Sequence, residues 1–298
     1  MIEIIFLGTS SMVPTKERNQ SSVLISCNTQ GILVDCGEGT QRQLKHANIP
    51  LSRITKILIS HWHSDHTLGL AGLIQSMGSS EYSKKLEIYG PTGTKKHMEY
   101  IFKAFLIEKR IEMEVFEIKE GKFFENQEFI LESYFLEHGI KALGYNFIEK
   151  SRRKIQLKKI KKLGLPEGPL LGRLQKGKSI TFKGKKINPD NVTKAIKGKK
   201  ISIITDTLLC DRCYCMAKDA DLLICESTYS SKLEEKSENY NHMTSKQAAL
   251  IASKANVKKL VLTHFSARYK STFELNEDAR TYFDNTECAY DLMRIKLK

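Results

Sequence analysis

Short apolar runs separated by turn residues dominate the first sixty residues of the chain. Each run is rich in β-branched residues and ends at Gly, Asn or a polar residue, which is the pattern of β-strands. The runs are IEIIF (2–6), SSVLIS (21–26), GILVDCG (31–37) and KILIS (56–60). The stretch TLGLAGLIQSM repeats its apolar residues at helical spacing instead, and it predicts a helix that begins near Asp65 or His66.

Similar signals continue through both halves of the chain. Further strands are predicted at 86–91, 113–118, 128–137, 200–207, 221–228 and 258–266, and helices at 94–108 and 243–255. Strands that alternate with helices in each half predict an α/β fold with two β-rich layers covered by helices. Because no linker rich in Pro, Gly or Ser interrupts the chain, we expect a single domain over residues 1–298.

The segment from about 149 to 178 departs from this pattern. It begins as a basic, partly helical run and then enters the Gly- and Pro-containing stretch LGLPEGPLLG, which predicts a surface arm inserted in the domain. Residues 150–200 carry 18 Lys or Arg against two acids, a net charge of +16 in a chain whose total is +14. Such a concentration favours a polyanionic partner, with nucleic acid first and an anionic membrane second. A solvated lysine-rich face is the alternative interpretation.

Composition sets further bounds on the 298-residue chain. No apolar stretch approaches the ~18 residues of a transmembrane helix, and no basic leader precedes the first strand, so we expect no membrane span or signal peptide. The seven cysteines form no regular framework, which predicts reduced thiols and a cytoplasmic protein. Cys210, Cys213 and Cys215 could bind an additional zinc ion, but no fourth ligand is evident, and structural cysteines are the favoured interpretation.

The hexapeptide His61-Trp62-His63-Ser64-Asp65-His66 directly follows an apolar run. On an extended segment His61 and His63 point to the same face, so they can share one metal ion. Asp65 and His66 follow after the chain turns towards the predicted helix, and they can face a second metal ion. Imidazole and carboxylate ligands suit Zn²⁺.

Four side chains cannot complete two metal sites, and further candidates stand at strand ends. Each stands directly after the apolar run of a predicted strand, where rigid elements can direct it into one cleft: His138 after ILESYFLE, Asp206 after ISIIT and His264 after LVLT. Two zinc ions ~3.5–4 Å apart activate a water molecule and bind both oxygens of an in-line phosphoryl displacement. The same site would hydrolyse thioesters or lactams, so it predicts a reaction type and not a substrate.

HWHSDH and the three later residues resemble the HxHxDH signature and subsequent ligands of the metallo-β-lactamase superfamily. The resemblance implies an αββα sandwich with two facing β-sheets, from which the basic arm protrudes as an exosite. It also implies two Zn²⁺ ions per subunit. The implied ligands are His61, His63 and His138 for one ion, Asp65, His66 and His264 for the other, and Asp206 as the bridge.

Two turns carry a more specific resemblance, to the ribonuclease Z family. PTKERN (14–19) matches that family's PxKxRN loop position by position, which implies that Pro14, Lys16, Arg18 and Asn19 sense the 3′ end of tRNA. A short loop of cationic and amide donors suits phosphate binding. DCGEGT (35–40) resembles a turn of the same family, and its Asp35 could orient the ligating histidines.

The core of the basic segment, LGLPEGPLLGRLQKG (163–177), resembles the exosite that grips the tRNA elbow in the ribonuclease Z family. The resemblance implies precursor tRNA as the partner, a homodimer, and substrate contacts by Gly164, Pro166, Gly168, Pro169 and Arg173. Lysines that meet phosphates would add affinity that depends on salt and little on sequence.

The resemblance also implies a mechanism for removing the 3′ trailer of precursor tRNA. Hydroxide activated by two zinc ions attacks the phosphorus, Asp65 accepts a proton, and Glu226 with His242 donates a proton to the departing oxygen, which leaves a 3′-hydroxyl on the tRNA. A carboxylate beside a histidine raises the histidine pKa, which suits a general acid. How Asp65 divides its ligand and base roles is left open by the sequence.

Two alternatives stand beside this interpretation. One is another hydrolase of the same fold, such as a small-molecule phosphodiesterase or a glyoxalase II-like thioesterase; the charged segment and the PTKERN match argue against it. The other is an RNA-binding protein without catalysis, which the full set of candidate ligands disfavours. Trailer length, CCA discrimination and the choice between zinc and manganese have no signal in the sequence.

Overall fold

A computed structural model describes residues 2–108 and 110–297 of the chain. In chain order the strands are β1 (Ile2–Gly8), β2 (Ser22–Cys27), β3 (Gln30–Val34), β4 (Ile54–Leu58), β5 (Leu86–Gly90), β6 (Met113–Glu117), β7 (Gly121–Glu125), β8 (Phe129–Glu137), β9 (Lys141–Glu149), β10 (Arg152–Ile155), β11 (Ile180–Phe182), β12 (Lys185–Ile187), β13 (Thr193–Ile196), β14 (Lys200–Ile204), β15 (Leu222–Glu226), β16 (Leu260–Thr263), β17 (Thr286–Cys288) and β18 (Arg294–Leu297). The helices are α1 (Thr40–His46), α2 (Ser64–Thr67), α3 (Leu70–Ser79), α4 (Thr94–Ala104), α5 (Leu157–Lys162), α6 (Pro169–Gln175), α7 (Pro189–Val192), α8 (Asp211–Ala217), α9 (Glu234–Asn239), α10 (Ser245–Lys254) and α11 (Phe273–Arg280).

Two seven-stranded mixed sheets form the body of the molecule. The first has the order β18-β1-β2-β3-β4-β5-β6, and the second β17-β16-β15-β14-β9-β8-β7. Strands β3 to β6 run parallel in the first sheet, and β14 to β17 run parallel in the second. The carboxyl ends of several neighbouring strands therefore meet at one edge of each sheet, where loops can hold functional side chains.

The inner faces of the two sheets pack against each other, and helices cover the outer faces. Alternate residues of β1 show this division: Ile4 and Phe6 lie in the core between the sheets, whereas Ile5 and Leu7 face α1, α3 and α4. In the second sheet, Leu223 packs against α8, α10 and α11. Strands covered on both faces must be apolar throughout, which explains the continuous hydrophobic runs in the sequence. The predicted α/β fold with two facing sheets is confirmed.

The predicted helix after the HWHSDH hexapeptide is broken at Gly69. Helix α2 ends at Thr67 and α3 begins at Leu70, because the chain passes directly against the turn that follows β3. The Gly69 amide donates to the Cys36 carbonyl at 2.9 Å, and a Cβ at Gly69 would lie 2.1 Å from the Gly37 oxygen. Only glycine fits this approach. The contact ties the hexapeptide to the DCGEGT turn.

Residues 150–199, the inserted segment, join β9 to its antiparallel neighbour β14. Strands β10 and β13 form a ribbon, β11 and β12 form a hairpin, and α5, α6 and α7 lie between them. Ordered elements thus continue to Ile196, beyond the arm expected over about 149–178. Six side chains form an apolar cluster within the segment, and they are Ile160, Leu165, Leu174, Ile180, Ile187 and Val192.

Within the described ranges, none of the helices has the length and apolar character needed to cross a membrane.

The separate apolar cluster predicts that the inserted segment unfolds as a local unit. We expect Leu174→Ala to remove protection from amide exchange across residues 152–196 and to leave the main unfolding transition nearly unchanged, because Leu174 is fully buried among residues of the segment itself. Leu24→Ala is the matched control: Leu24 is fully buried in the body, and its loss should destabilise the whole domain by about 2–5 kcal/mol. Equal effects on the main transition would show one cooperative unit instead.

Candidate metal centre

Histidines and carboxylates from both sheets meet where the strands end. His61 to His66 follow β4, His138 follows β8, Asp206 follows β14 and His264 follows β16. All of these ring and carboxylate groups except His63 are almost fully buried. His264 has a φ of 62°, a left-handed conformation that is uncommon outside glycine and directs its ring into the cluster.

Three imidazoles form the first group of candidate ligands. His63 Nδ1 lies 3.1 Å from His61 Nε2 and 3.1 Å from His138 Nε2. The alternation of side chains along the extended segment places His61 and His63 together, as the sequence predicted, and the end of β8 in the opposite sheet supplies His138. The three nitrogens surround a point at which one cation could sit.

Asp65, His66, Asp206 and His264 form the second group. Asp65 Oδ2 lies 3.4 Å from the Nε2 atoms of both His66 and His264, and Asp206 Oδ1 lies 3.2 Å from His264 Nε2. For metal–ligand bonds of about 2.0–2.1 Å, a tetrahedral centre separates neighbouring ligand atoms by roughly 3.3 Å. The separations in this group fit such a centre.

Asp206 lies between the two groups. Its Oδ2 is 3.3 Å from His66 Nε2 and 3.7 Å from the Nε2 atoms of both His61 and His138. One carboxylate therefore faces ligands of both groups. A negative charge at this point would reduce the repulsion between two divalent cations.

Hydrogen bonds behind the rings fix which nitrogen faces inward. His66 Nδ1 donates to Asp35 Oδ2 at 2.7 Å, and His138 Nδ1 donates to the Asn241 carbonyl at 2.7 Å. Because Nδ1 carries the proton in each ring, the Nε2 lone pair points into the cluster.

Two hydroxyls extend this support to the rings of His61 and His264. Ser60 Oγ donates to Asp35 Oδ2 and lies 2.9 Å from His61 Nδ1. Thr228 Oγ1 donates to Glu226 Oε2 and lies 2.9 Å from His264 Nδ1. Each sheet thus contributes one buried carboxylate that orients two rings, directly or through a hydroxyl. Residue-type spacing did not identify Ser60, Thr228 or Asn241, although each of the three stands within two residues of a predicted functional residue.

The donor set fits a divalent cation. Within residues 2–108 and 110–297, the buried Oδ1 atoms of Asp65 and Asp206 have no hydrogen-bond partner. Burial of carboxylate oxygens that accept no hydrogen bond is costly unless a cation neutralises their charge. Burial, followed by the nearby His66 charge, lowers the pKa of His61 well below its usual range, which keeps this ring neutral as a ligand must be.

The surplus of carboxylates also draws a proton to the centre. Burial acts to lower the pKa of His66, but the charges of Asp206, Asp35 and Asp65 outweigh it and raise that pKa well above its usual range. Opposing charges likewise hold the pKa of Asp206 well below its usual range against the effect of burial. A cation that binds here must displace the proton on His66 Nε2, so the affinity for the cation should weaken as the pH falls.

A second acid–base pair lies at the edge of the cluster. His242 Nδ1 is 3.0 Å from Glu226 Oε1, and the same carboxylate accepts the amide hydrogens of Thr207 and Thr228. Burial opposes protonation of His242, but the charges of Glu226 and Asp206 prevail and raise its pKa to about 9. His242 lines a cleft of about 390 Å³ together with His63, Asp65 and Asp206. A protonated imidazole therefore faces the space in front of the candidate ligands.

The PTKERN loop uses two of its four expected contact residues inside the protein. The Arg18 guanidinium is buried and donates to the Tyr269 carbonyl at 2.6 Å, and Asn19 Nδ2 donates to the Glu38 carbonyl at 2.6 Å. Pro14 and Lys16 are exposed. The loop thereby ties the DCGEGT turn to the 266–269 loop, and Lys16 is left available to an external anion.

The remaining expected contact residues lie in the inserted segment. Gly164 and Gly168 have φ values of 61° and 136°, and Pro169 is the first residue of α6. These three residues, with Pro166 and Arg173, are exposed, and they are absent from the described lining of the 390 Å³ cleft. The structure therefore brings together the seven candidate ligands and the Glu226–His242 pair, but not these five residues.

The cysteine cluster lies outside the candidate metal groups. Cys210 Sγ and Cys213 Sγ are 3.6 Å apart, and Cys213 is fully buried beside α10. Among the described residues, none of the groups able to hold a metal ion includes a cysteine.

The hydrogen bonds behind the rings predict that Asp35 controls metal affinity. Asp35→Asn should weaken metal binding about 10- to 100-fold, because the amide cannot hold the His66 proton as the carboxylate does. Asparagine tolerates the φ of 58° at this position, so the backbone is preserved. Affinity would be measured by competition with a chromophoric chelator. Asp219→Asn, on the exposed contact with Asn256, is the control, and wild-type affinity in both variants would contradict the assignment.

Comparisons with known proteins agree with this geometry. Residues 2–147 match the family of the anti-Pycsar protein Apyc1. Ribonuclease Z of Methanothermobacter thermautotrophicus is 39% identical, over 100% of this chain and 97% of its own length. The crystal structure of human tRNase Z, short form, superposes with a TM-score of 0.73 at 27% identity, covering 99% of each chain. The metallo-β-lactamase fold protein YhfI of Bacillus subtilis superposes with a TM-score of 0.72 at 18% identity, covering 99% of this chain and 98% of its own chain. The chain therefore has the metallo-β-lactamase fold and belongs to the ribonuclease Z family of endoribonucleases.

Proposed function

We propose that this protein removes the 3′ trailer from precursor tRNA by metal-dependent hydrolysis of one phosphodiester bond. The observation that carries the proposal is the position of Asp206, which faces both groups of candidate ligands while His242 lines the same cleft. Family membership supports tRNA as the substrate. The products would be tRNA with a 3′-hydroxyl and a trailer with a 5′-phosphate.

In this proposal two Zn²⁺ ions bind per subunit. His61, His63 and His138 would hold one ion, Asp65, His66 and His264 the other, and Asp206 both. Bound together, two such ions would lower the pKa of a water molecule and neutralise charge on the reacting phosphoryl oxygens.

The two oxygens of Asp65 suggest how one carboxylate serves as ligand and base. Its Oδ2 faces His66 and His264, whereas its buried Oδ1 has no partner within the described ranges. We assign Oδ2 to the metal and Oδ1 to the proton released by the attacking water. Because Oδ1 has no hydrogen-bond partner among the described residues, it can take up that proton without first breaking a hydrogen bond.

His242 is the proposed general acid for the departing 3′ oxygen of the tRNA. The charge of Glu226 keeps the pKa of His242 high, and its carboxylate accepts a hydrogen bond from the Nδ1–H of His242. The Nε2–H of His242 is therefore available for donation. Glu226 is rigid because it is fully buried and accepts hydrogen bonds from two backbone amides. A group fixed in this way delivers its proton without reorganisation.

The inserted segment is the proposed docking site for the tRNA body. Its charge of +15 is concentrated on a unit with its own apolar cluster, and Gly164, Pro166, Gly168, Pro169 and Arg173 lie on its exposed turn and α6. Phosphate contacts by its lysines would supply affinity, and the shape of folded RNA would supply selectivity. Exposed Lys16 would meet the 3′ end. The proposal includes a cytoplasmic homodimer in which one subunit's segment serves the other's cleft, on the strength of the family resemblance.

A 3′-extended precursor tRNA tests the proposed function directly. Purified protein with zinc should cut next to the discriminator nucleotide, and a chelator should abolish the cut. Replacing residues 151–198 by a short Gly-Ser turn should abolish precursor cleavage and spare hydrolysis of bis(p-nitrophenyl) phosphate. The body should survive this deletion, because the Glu149 amide already donates to the Lys199 carbonyl at 2.8 Å.

A deletion that ended at residue 177 would be a poorer test, because it would divide the apolar cluster and remove β10 while leaving its partner β13. If precursor tRNA stays intact while the small diester or a thioester is hydrolysed, the tRNA assignment is wrong and the metal centre stands.

The general-acid assignment predicts a dependence on the leaving group. His242→Ala should slow RNA cleavage about 10²- to 10⁴-fold. It should have little effect on bis(p-nitrophenyl) phosphate, whose leaving group needs no proton. In the wild type, the RNA rate should fall as the pH rises through about 9, where His242 loses its proton.

Glu226→Gln removes a neighbouring charge and should move that decline to lower pH. Rates would be measured under single turnover with both substrates. Equal losses on RNA and on the activated diester would contradict the role of His242.

A further inference from the structure

A second cleft of about 450 Å³ opens beside the metal centre and has no part in the mechanism above. Its lining includes Trp62, His63, His97 and Ile140. His63 lines both this cleft and the 390 Å³ cleft. His242 lines the 390 Å³ cleft and is absent from the described lining of the second cleft. The second cleft therefore adjoins the proposed reaction centre at His63. Its volume lies in the range of cavities that bind small molecules.

An aromatic pair forms one wall of this cleft. The Trp62 ring stacks on the His97 ring with centroids 4.6 Å apart and planes inclined by 17°. Trp62 Nε1 donates to Thr94 Oγ1 at 2.9 Å, and the Thr94 hydroxyl donates to the Pro91 carbonyl at 2.7 Å. Trp62 also packs partly against the core of the first sheet, while His97 is exposed. The pair is rigid and partly open to solvent.

The opposite sheet supplies the other wall. Ile140 stands in the turn between β8 and β9, Lys141 is the first residue of β9, and Ile140 is 42% exposed. Lys141 is exposed, and no ion pair of the described residues includes it. A flat aromatic surface, an exposed aliphatic side chain and a free cation suit the base and phosphate of a nucleotide.

We propose that this cleft binds a nucleobase of the single-stranded trailer, stacked against the Trp62–His97 pair beside the scissile phosphate. The inference rests on the proposed function and adds a substrate subsite to it. The trailer is the favoured source because His242, the proton donor to the tRNA 3′ oxygen, faces the other cleft. Stacking tolerates any base, so such a site would serve trailers of different sequence.

Trp62 is the only tryptophan of the chain, so its fluorescence reports on this cleft without any activity. Full-length protein with a chelator would be titrated with three RNAs: a 3′-extended precursor, the same precursor with abasic residues at the first two trailer positions, and mature tRNA. We expect quenching by the first RNA alone. Equal quenching by the intact and abasic precursors overturns the proposal. Quenching by mature tRNA assigns the cleft to the tRNA end and overturns the choice of the trailer.

Kinetics separate base stacking from mere support of the neighbouring ligands. Trp62→Ala should lower kcat/KM for the intact precursor about 5- to 150-fold, and Trp62→Phe should retain most activity. On the abasic precursor, Trp62→Ala and wild type should differ little. Equal losses on both substrates, or on bis(p-nitrophenyl) phosphate, would mean that Trp62 acts only by positioning His61 and His63. Failure of the wild type to cut any precursor is a different result, because it removes the proposed function itself.

Discussion

Lone pairs and negative charges converge in one buried volume, and most of this protein's local structure serves to hold them there. Four Nε2 atoms, one Nδ1 atom and two carboxylates point at one another at separations of about 3.1 to 3.7 Å. Without a cation between them, these groups repel one another or take up a proton, as the raised pKa of His66 indicates. The arrangement persists because Asp35 and Glu226, one from each sheet, fix the rings from behind.

The two sheets divide the chemistry between them. The first sheet supplies the hexapeptide and Asp35, and the second supplies His138, Asp206 and the Glu226–His242 pair. The apolar core between the sheets therefore sets the distance between the ligands. A loosened core would first disturb the contacts of Asp206, because this carboxylate must face ligands from both sheets.

Charge is distributed so that the concentrated lysines interfere little with folding of the body. The inserted segment holds +15, and the rest of the chain sums to −1. Concentrated lysines repel one another, and a body that carried them would lose stability. Because the lysines lie on a unit with its own apolar cluster, the loss of stability from their repulsion is confined to that unit. Arg18 shows the opposite use of a cation, since its buried guanidinium fastens two loops instead of meeting solvent.

The sequence by itself determined the layered α/β class, the seven candidate ligands, the Glu226–His242 pair and the basic segment. The fold class, the candidate ligands and the basic segment follow from local rules: residue type, spacing along a strand, and position at a strand end. The Glu226–His242 pair followed from the resemblance to the ribonuclease Z family. Only the tertiary structure decided the rest, because it depends on contacts between distant residues. His63 meets His138 across 75 positions, and His66 meets His264 across 198.

No periodicity encodes such distant pairs. The same reason explains why Arg18 and Asn19 were expected to face substrate but bind the protein's own backbone. It also explains why the cleft between Trp62 and Ile140 had no signal in the sequence: its walls belong to different sheets, and they meet only after the sheets have packed.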